Sequence, residues 1–323
     1  MFPARPDLTI CFAHAAYQMK ARFDLRKTGI KSFQVWAFDD LQKRVGEADV
    51  VVVSGMWKNE LIPHAGKLKF IQSISSGMDQ YSKEQLAAKK VRLASAAGVN
   101  ARAVAEHAIA LVLAVARRLP EARDNQHKKM WRGMIGDLAQ REDELGGKTL
   151  LVVGMGRIGA HLAKLAKAFD MKVIGIRRDP KQGTNGADSI HGMAELVKLV
   201  PQADIVALTC ALTPETTGLM SAAAFAAMKP SAMFVNVARG KVADEAALTE
   251  TMKAGKIWAA ALDVTADEPL PAASPLWAMP NVFITPHTAG ETRAYEDNVL
   301  DILMENLGRL WKDDAAALRN QVL

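Results

Sequence analysis

The segment Leu150-Leu151-Val152-Val153-Gly154-Met155-Gly156-Arg157-Ile158-Gly159 constrains the fold more than any other part of the chain. It reads as strand, glycine-rich turn, helix. Gly154 permits a tight turn, Gly156 lets the backbone approach a pyrophosphate, and Gly159 lets the helix pack against the strand. A phosphate would sit at the helix N-terminus, against free N–H groups and the positive end of the helix dipole. Arg157 would add charge there, and Ile158 begins the helix's apolar face. A second strand pattern at 172–176 follows at the distance a βαβ unit needs. The turn is therefore a candidate dinucleotide site, with Gly154, Gly156, Arg157, Ile158 and Gly159 as its contacts. A ligand-free glycine-rich βα connection is the alternative.

The surrounding pattern agrees. Short β-rich runs at 8–12, 49–53, 69–74, 91–94, 149–153, 172–176, 204–208, 232–235, 257–262 and 282–284 alternate with helical periodicity. Several runs are continuously apolar, Val50-Val51-Val52-Val53 most clearly. A strand buried on both faces reads that way, which predicts parallel sheet with helices on each side. Helical patterns cover 101–119, 158–169, 244–253 and 291–311. A chain of 323 residues holds about two domains at roughly 150 residues each. Boundaries near Gly98 and after His287 predict a domain of 100–288 inserted into one built from 1–99 plus 289–323.

Composition narrows the function. Lys and Arg exceed Asp and Glu by 41 to 35, for a net charge of +6. The excess is spread out, and aromatics are only 6%. A small anionic ligand fits this better than nucleic acid. Two cysteines, Cys11 and Cys210, make neither a disulfide scaffold nor a zinc site, so no metal is predicted. The longest apolar run, 108–116, falls short of the ~18 residues that span a bilayer. The first residues lack a basic stretch followed by an apolar core, so no secretory signal is predicted and the expected location is cytoplasmic.

The end of the second strand bears on cofactor choice. NAD-binding turns of this kind place an acidic residue there to hold the ribose hydroxyls. Here the strand ends Ile176-Arg177-Arg178-Asp179. Guanidinium groups pair with a 2′-phosphate that a carboxylate would repel. Arg177 and Arg178 thus predict NADP(H) rather than NAD(H). The alternative is NAD use, with the arginines solvated and Asp179 reaching the ribose.

Three further segments end predicted strands: Asn236-Val237-Ala238-Arg239-Gly240, Asp263 through Leu270, and Thr285-Pro286-His287-Thr288-Ala289-Gly290. Ligands of an open α/β sheet bind outside the carboxyl ends of its strands. An Arg, a Glu and a His would therefore converge beside the cofactor. The set fits hydride transfer to a 2-keto acid. His287 would act as general acid on the ketone oxygen, Glu268 would orient its ring, and Arg239 would hold the carboxylate and stabilise developing charge. Singly, each residue also reads as an ordinary loop residue.

The order of motifs resembles the D-isomer-specific 2-hydroxyacid dehydrogenases. It runs from Ser76-Gly77-Met78-Asp79 through Gly98-Val99-Asn100, Val104-Ala105-Glu106 and the glycine turn. Leu212-Thr213-Pro214-Glu215-Thr216, Val235 to Gly240, Asp263 to Leu270 and Pro286-His287 follow. The resemblance implies two Rossmann-like doubly wound parallel-sheet domains with the active site in the cleft between them. It implies Arg239, Glu268 and His287 as catalytic residues, and Ser76, Gly77 and Arg239 as substrate contacts. Thr209, Val237, Ala238, Asp263, His287 and Gly290 would line the cofactor, Asp263 near the nicotinamide carboxamide. It also implies a homodimer, formed partly through the helix that begins near Asn100. Domain closure about 98–101 and 288–291 is expected separately, because water must be excluded while hydride moves.

Arg177 departs from the family's common acidic residue, as in its NADP-using members. Residues 1–70 carry few family motifs, which leaves the substrate pocket least defined. Glu268 stands where the superfamily's formate dehydrogenases carry glutamine. The expectation is an NADPH-preferring reductase of the glyoxylate/hydroxypyruvate type. No regulatory segment is expected after the second domain, an expectation that favours that reading. Alternatives are an NAD-dependent dehydrogenase of another small anion, of the D-lactate, phosphoglycerate or phosphite type, or a dinucleotide-sensing corepressor-like protein. No nucleic-acid or membrane partner is expected.

Overall fold

The computed structural model describes residues 2–78, 80–138, 141–313 and 316–323. It divides into two units, Met1–Asn100 with Thr292–Leu323, and Ala101–Glu291. Each is a parallel sheet with helices on both faces.

The first unit contains β1 (Thr9–Ala13), α1 (Met19–Asp24), β2 (Lys31–Val35), α2 (Phe38–Arg44), β3 (Val50–Val53), β4 (Phe70–Ser73), α3 (Lys83–Ala88) and β5 (Arg92–Ala94). Its sheet runs β2-β1-β3-β4-β5 with parallel pairing throughout. Side chains alternate across the pleat. Val50 and Val52 join Phe12, Met19 and Phe23 in one core layer, while Val51 and Val53 join Leu41, Trp57 and Leu61 in the other. All four valines are essentially inaccessible, and burying each contributes about 1.5–3 kcal/mol. That explains why the run shows no alternation.

The second unit contains α4 (Ala101–Ala116), α5 (Leu119–His127), β6 (Thr149–Val153), α6 (Arg157–Ala168), β7 (Lys172–Ile176), β8 (Ser189–His191), α7 (Leu196–Leu199), β9 (Ile205–Leu208), α8 (Ala222–Ala226), β10 (Met233–Asn236), α9 (Glu245–Lys253), β11 (Ala259–Leu262) and β12 (Val282–Ile284). The chain then returns to the first unit as α10 (Tyr295–Lys312). There Leu300, Leu303 and Leu307 close the first of its two core layers. The second sheet has the order β12-β11-β10-β9-β6-β7-β8, again all parallel. Leu150 and Val152 pack with α4 and α6, and Leu151 and Val153 with α7, α8 and α9. No described helix is long and apolar enough to cross a membrane.

The sequence pattern missed β2 and β8. Both are edge strands whose residues are mostly only partly buried, Val35 being the one buried residue of the two, so neither shows the double-sided apolar run of an interior strand. Two helix limits also need correction. The helix starting at Ala101 stops at Ala116, because Arg118 takes a left-handed backbone (φ 51°) before Pro120 opens α5. The closing helix starts at Tyr295 rather than 291, after a turn in which the Tyr295 N–H donates to the Thr292 carbonyl. Asp244 does cap α9, its carboxylate accepting from the Ala247 N–H at 3.0 Å.

Candidate active site

Parallel strands deliver their following loops to one edge of the sheet. In the second unit the loops after β6, β7, β9, β10, β11 and β12 therefore share the carboxyl edge. Strand order reverses at β6, which pairs with β9 on one side and β7 on the other. That reversal is where doubly wound sheets open a ligand crevice.

The glycine turn occupies this point. Gly154 has φ 111°, and a Cβ on it would stand 2.5 Å from the Cys210 backbone nitrogen. A Cβ on Gly159 would stand 2.4 Å from the Gly154 carbonyl oxygen, so only glycine lets α6 start this close to β6. Gly156, the residue before α6, meets nothing within 4 Å of its Cβ direction. Backbone access, a helix N-terminus and free volume coincide there, which fits a dinucleotide pyrophosphate. Arg157 is exposed on the first turn of α6, and Ile158 is half-buried against the core.

Neighbouring groups hold the turn. The Thr209 hydroxyl donates to the Gly154 carbonyl at 2.9 Å, and the Asn185 amide to the Met155 carbonyl at 3.0 Å. Thr209 is thus largely buried and engaged with the turn itself. Burial pushes the Cys210 thiol up to about 11, so it remains neutral beside the candidate phosphate site.

After β7, the Arg177 guanidinium donates to the Gln182 side chain at 2.6 Å and to the Gly183 carbonyl at 3.2 Å. Arg178 is exposed. Its charge, together with a hydrogen bond from Thr213, holds the Glu215 carboxyl below its ordinary range, the Thr213 bond first. Asp179 accepts from the Lys181 N–H at 3.0 Å and caps the turn at Pro180–Gln182.

The loop after β10 is built by Asn236, which is buried. Its side chain accepts from the Ala238 N–H at 3.0 Å and donates to the Arg239 carbonyl at 3.1 Å. Val237 and Ala238 are buried, and Arg239 is exposed with its guanidinium turned back to donate to the Ala238 carbonyl at 2.7 Å. Gly240 then lies against the next loop. A Cβ there would be 1.9 Å from the Thr265 carbonyl carbon. This contact sets Arg239 beside the segment that carries Glu268.

Glu268 links that segment to His287. One of its oxygens accepts from the Thr265 N–H at 3.2 Å, and the other lies 2.6 Å from His287 Nδ1. The two side chains are 37% and 43% accessible, so the pair adds at most about 1 kcal/mol to stability. Its effect is on geometry: with Nδ1 tied to a carboxylate, Nε2 is the nitrogen left to face a reactant.

Asp263, 2% exposed, organises the final loop. Its carboxylate accepts from the Thr285 hydroxyl at 2.7 Å, the Thr288 N–H at 3.0 Å and the Ala289 N–H at 3.1 Å. Its carbonyl accepts from the His287 N–H at 2.8 Å. His287 itself has φ 54°, a left-handed backbone that costs about 1–3 kcal/mol outside glycine. Gly290 follows, half-buried.

Ser76 and Gly77 belong to the first unit, in the loop after β4. Ser76 is exposed, and the Ser75 hydroxyl donates to the Gly77 carbonyl at 3.0 Å. Asp79 lies outside the described residues. Sequence reasoning passed over Thr285 and His107, which meet at 2.9 Å. The signal for His107 was its place among Val104, Ala108 and Leu111 on one apolar stripe of α4.

Residues 109–289 match the family model described as the NAD binding domain of D-isomer specific 2-hydroxyacid dehydrogenases. The chain belongs to the D-isomer-specific 2-hydroxyacid dehydrogenase family. It is 39% identical over 249 residues to glyoxylate/hydroxypyruvate reductase B of Escherichia fergusonii, covering 76% of each chain. It is 36% identical over 279 residues to D-3-phosphoglycerate dehydrogenase of Archaeoglobus fulgidus, covering 85% of this chain and 51% of that one. It thus spans about half the length of that relative, as it does of the Methanocaldococcus jannaschii D-3-phosphoglycerate dehydrogenase, at 52%. The crystal structure of a D-isomer specific 2-hydroxyacid dehydrogenase family protein from Aeromonas salmonicida superposes with a TM-score of 0.85 at 29% identity, over 98% of this chain and 99% of that one. This family of oxidoreductases therefore accounts for both sheets and for the order of the loops on the second.

Proposed function

We propose that the protein is an NADPH-preferring reductase of small 2-keto acids, of the glyoxylate/hydroxypyruvate type. The carrying observation is the His287–Glu268 pair, at 2.6 Å, on the same sheet edge as Arg239 and the glycine turn. A bound reduced nicotinamide would supply the hydride. His287 Nε2 gives a proton to the ketone oxygen as charge develops on it, and takes one back in the oxidative direction. Glu268 fixes the ring and carries the counter-charge. Arg239 pairs with the substrate carboxylate and polarises the ketone. The likeness to glyoxylate/hydroxypyruvate reductase B over three-quarters of each chain supports the substrate class.

NADPH preference rests on the turn after β7. Arg177 follows β7 directly, and Asp179 is occupied as a turn cap. The position directly after the strand, where an NAD-type turn carries its acidic residue, is Arg177, and Arg178 faces the Glu215 carboxylate. Arg178, exposed, and Arg177, braced on its own loop, are the phosphate ligands in this reading. Steady-state NADPH oxidation with glyoxylate, hydroxypyruvate, pyruvate, longer 2-keto acids and the keto acid of phosphoglycerate tests both parts. Glyoxylate or hydroxypyruvate is expected to give the highest kcat/KM, with NADPH at least about 10-fold better than NADH, the equivalent of one charge-assisted contact of ~1.5 kcal/mol. No turnover of any acid, with NADPH still bound, would favour a dinucleotide sensor. A higher kcat/KM with NADH would overturn the cofactor assignment.

We also assign the second unit a self-association role. Met130, Trp131, Met134 and Leu138 are large apolar residues standing in solvent, Trp131 at 98% exposure. Exposed apolar residues clustered in one segment mark an interaction surface. Light scattering is expected to give twice the 35.0 kDa chain mass, and Trp131→Ser with Met134→Ser is expected to shift it to the monomer. A monomeric parent at micromolar concentration would refute this.

A further inference from the structure

We propose that His107 is a positioning residue for the His287 loop, acting through Thr285 and Asp263. This rests on the acid–base reading of His287 given above. His107 stands on α4, whose neighbouring Val104, Ala108 and Leu111 are buried in the core, so its mount is rigid. Its Nε2 lies 2.9 Å from the Thr285 hydroxyl and 3.4 Å from Asp263 Oδ1.

The hydrogen-bond directions follow from the donor inventory. A carboxylate accepts, so the Thr285 hydroxyl points its single proton at Asp263, at 2.7 Å. The hydroxyl's lone pair is then left for His107, which must carry a hydrogen on Nε2. His107 thereby donates toward Thr285 and faces the Asp263 oxygen that also accepts from the Thr288 N–H at 3.0 Å. Asp263 holds the loop on both sides of His287, and the His287 backbone is left-handed. A strained conformation persists only where its surroundings over-determine it. His107 is the contribution of α4 to that restraint, from outside the strand ends that carry the proposed chemistry.

The test compares His107→Leu, which removes the donor, with His107→Gln, whose amide restores one. Thr285→Val removes the hydroxyl and serves if the leucine variant folds poorly. Amide hydrogen exchange across 285–290 is expected to rise in the leucine and valine variants and to return toward the parent rate in the glutamine variant. In the same variants kcat is expected to fall by about 10-fold to 100-fold, with KM for the keto acid within about twofold, as a small misplacement of a reacting group produces. Glutamine is expected to recover most of the loss. Unchanged exchange in both the leucine and valine variants would overturn the proposal whatever the activity. Glutamine exchanging as fast as leucine would also overturn it, because shape rather than the donor would then matter. Raised exchange with kcat unaffected by His287→Ala would leave the positioning role standing and refute the acid–base reading instead.

Discussion

Replacing His287 with alanine is expected to lower kcat by about 10²–10⁴-fold, the range that a positioned general acid contributes. The ring is held by Glu268 at Nδ1 and by a left-handed backbone that Asp263 stabilises. Nothing in this arrangement supports the core: His287 is exposed, and the pair is worth little in folding. The loss should therefore appear in turnover, with Tm close to the parent and NADPH still bound. A kcat unchanged by the substitution would show that the proton comes from elsewhere.

Gly240→Ala is expected to be the most damaging single methyl in the active-site region. The added Cβ would stand 1.9 Å from the Thr265 carbonyl carbon and 2.4 Å from the Ala266 nitrogen. Both neighbours are backbone, so the two loops must separate. Thr265 is also the residue whose N–H donates to Glu268, and the separation displaces that carboxylate from His287. We expect a loss of at least about 3 kcal/mol, which corresponds to a fall in Tm of roughly 6–12 °C for a unit of this size. Activity should fall with it. Gly308→Ala is the control, because its Cβ meets nothing within 4 Å inside α10. There alanine should hold or raise Tm, by the ~1 kcal/mol that separates the two in a helix. A Gly240→Ala protein melting within about 2 °C of the parent, on the same scale, would contradict the close packing of the two loops.

Interior strands and the glycine turn were legible because their constraints are local. Val50–Val53 must be apolar on both faces, and Gly154, Gly156 and Gly159 leave a spaced signature. Edge strands β2 and β8 were not, since their residues are mostly only half-buried and carry no continuous apolar run. Helix α5 was hidden for a related reason: among its residues only the polar Asn125 is buried. Arg239, Glu268 and His287 could be named from their positions after strands. The groups that hold them could not. Asn236 folds the loop bearing Arg239, Gly240 presses that loop on Thr265, and His107 reaches Thr285 from a residue 178 positions away. Such contacts depend on how strand ends and a helix meet in space, and no spacing in the chain records them.

The most direct measurement uses NADPH deuterated at both C4 positions of the nicotinamide, with hydroxypyruvate as substrate and mass spectrometry of the product. The proposed chemistry delivers hydride to the keto carbon and a proton from His287 to its oxygen. Glycerate bearing one deuterium at C2 is the expected product, formed by the parent and at a rate reduced by about 10²–10⁴-fold in His287→Ala. Consumption of NADPH without deuterated glycerate, or no consumption at all with any of the small 2-keto acids, would contradict it.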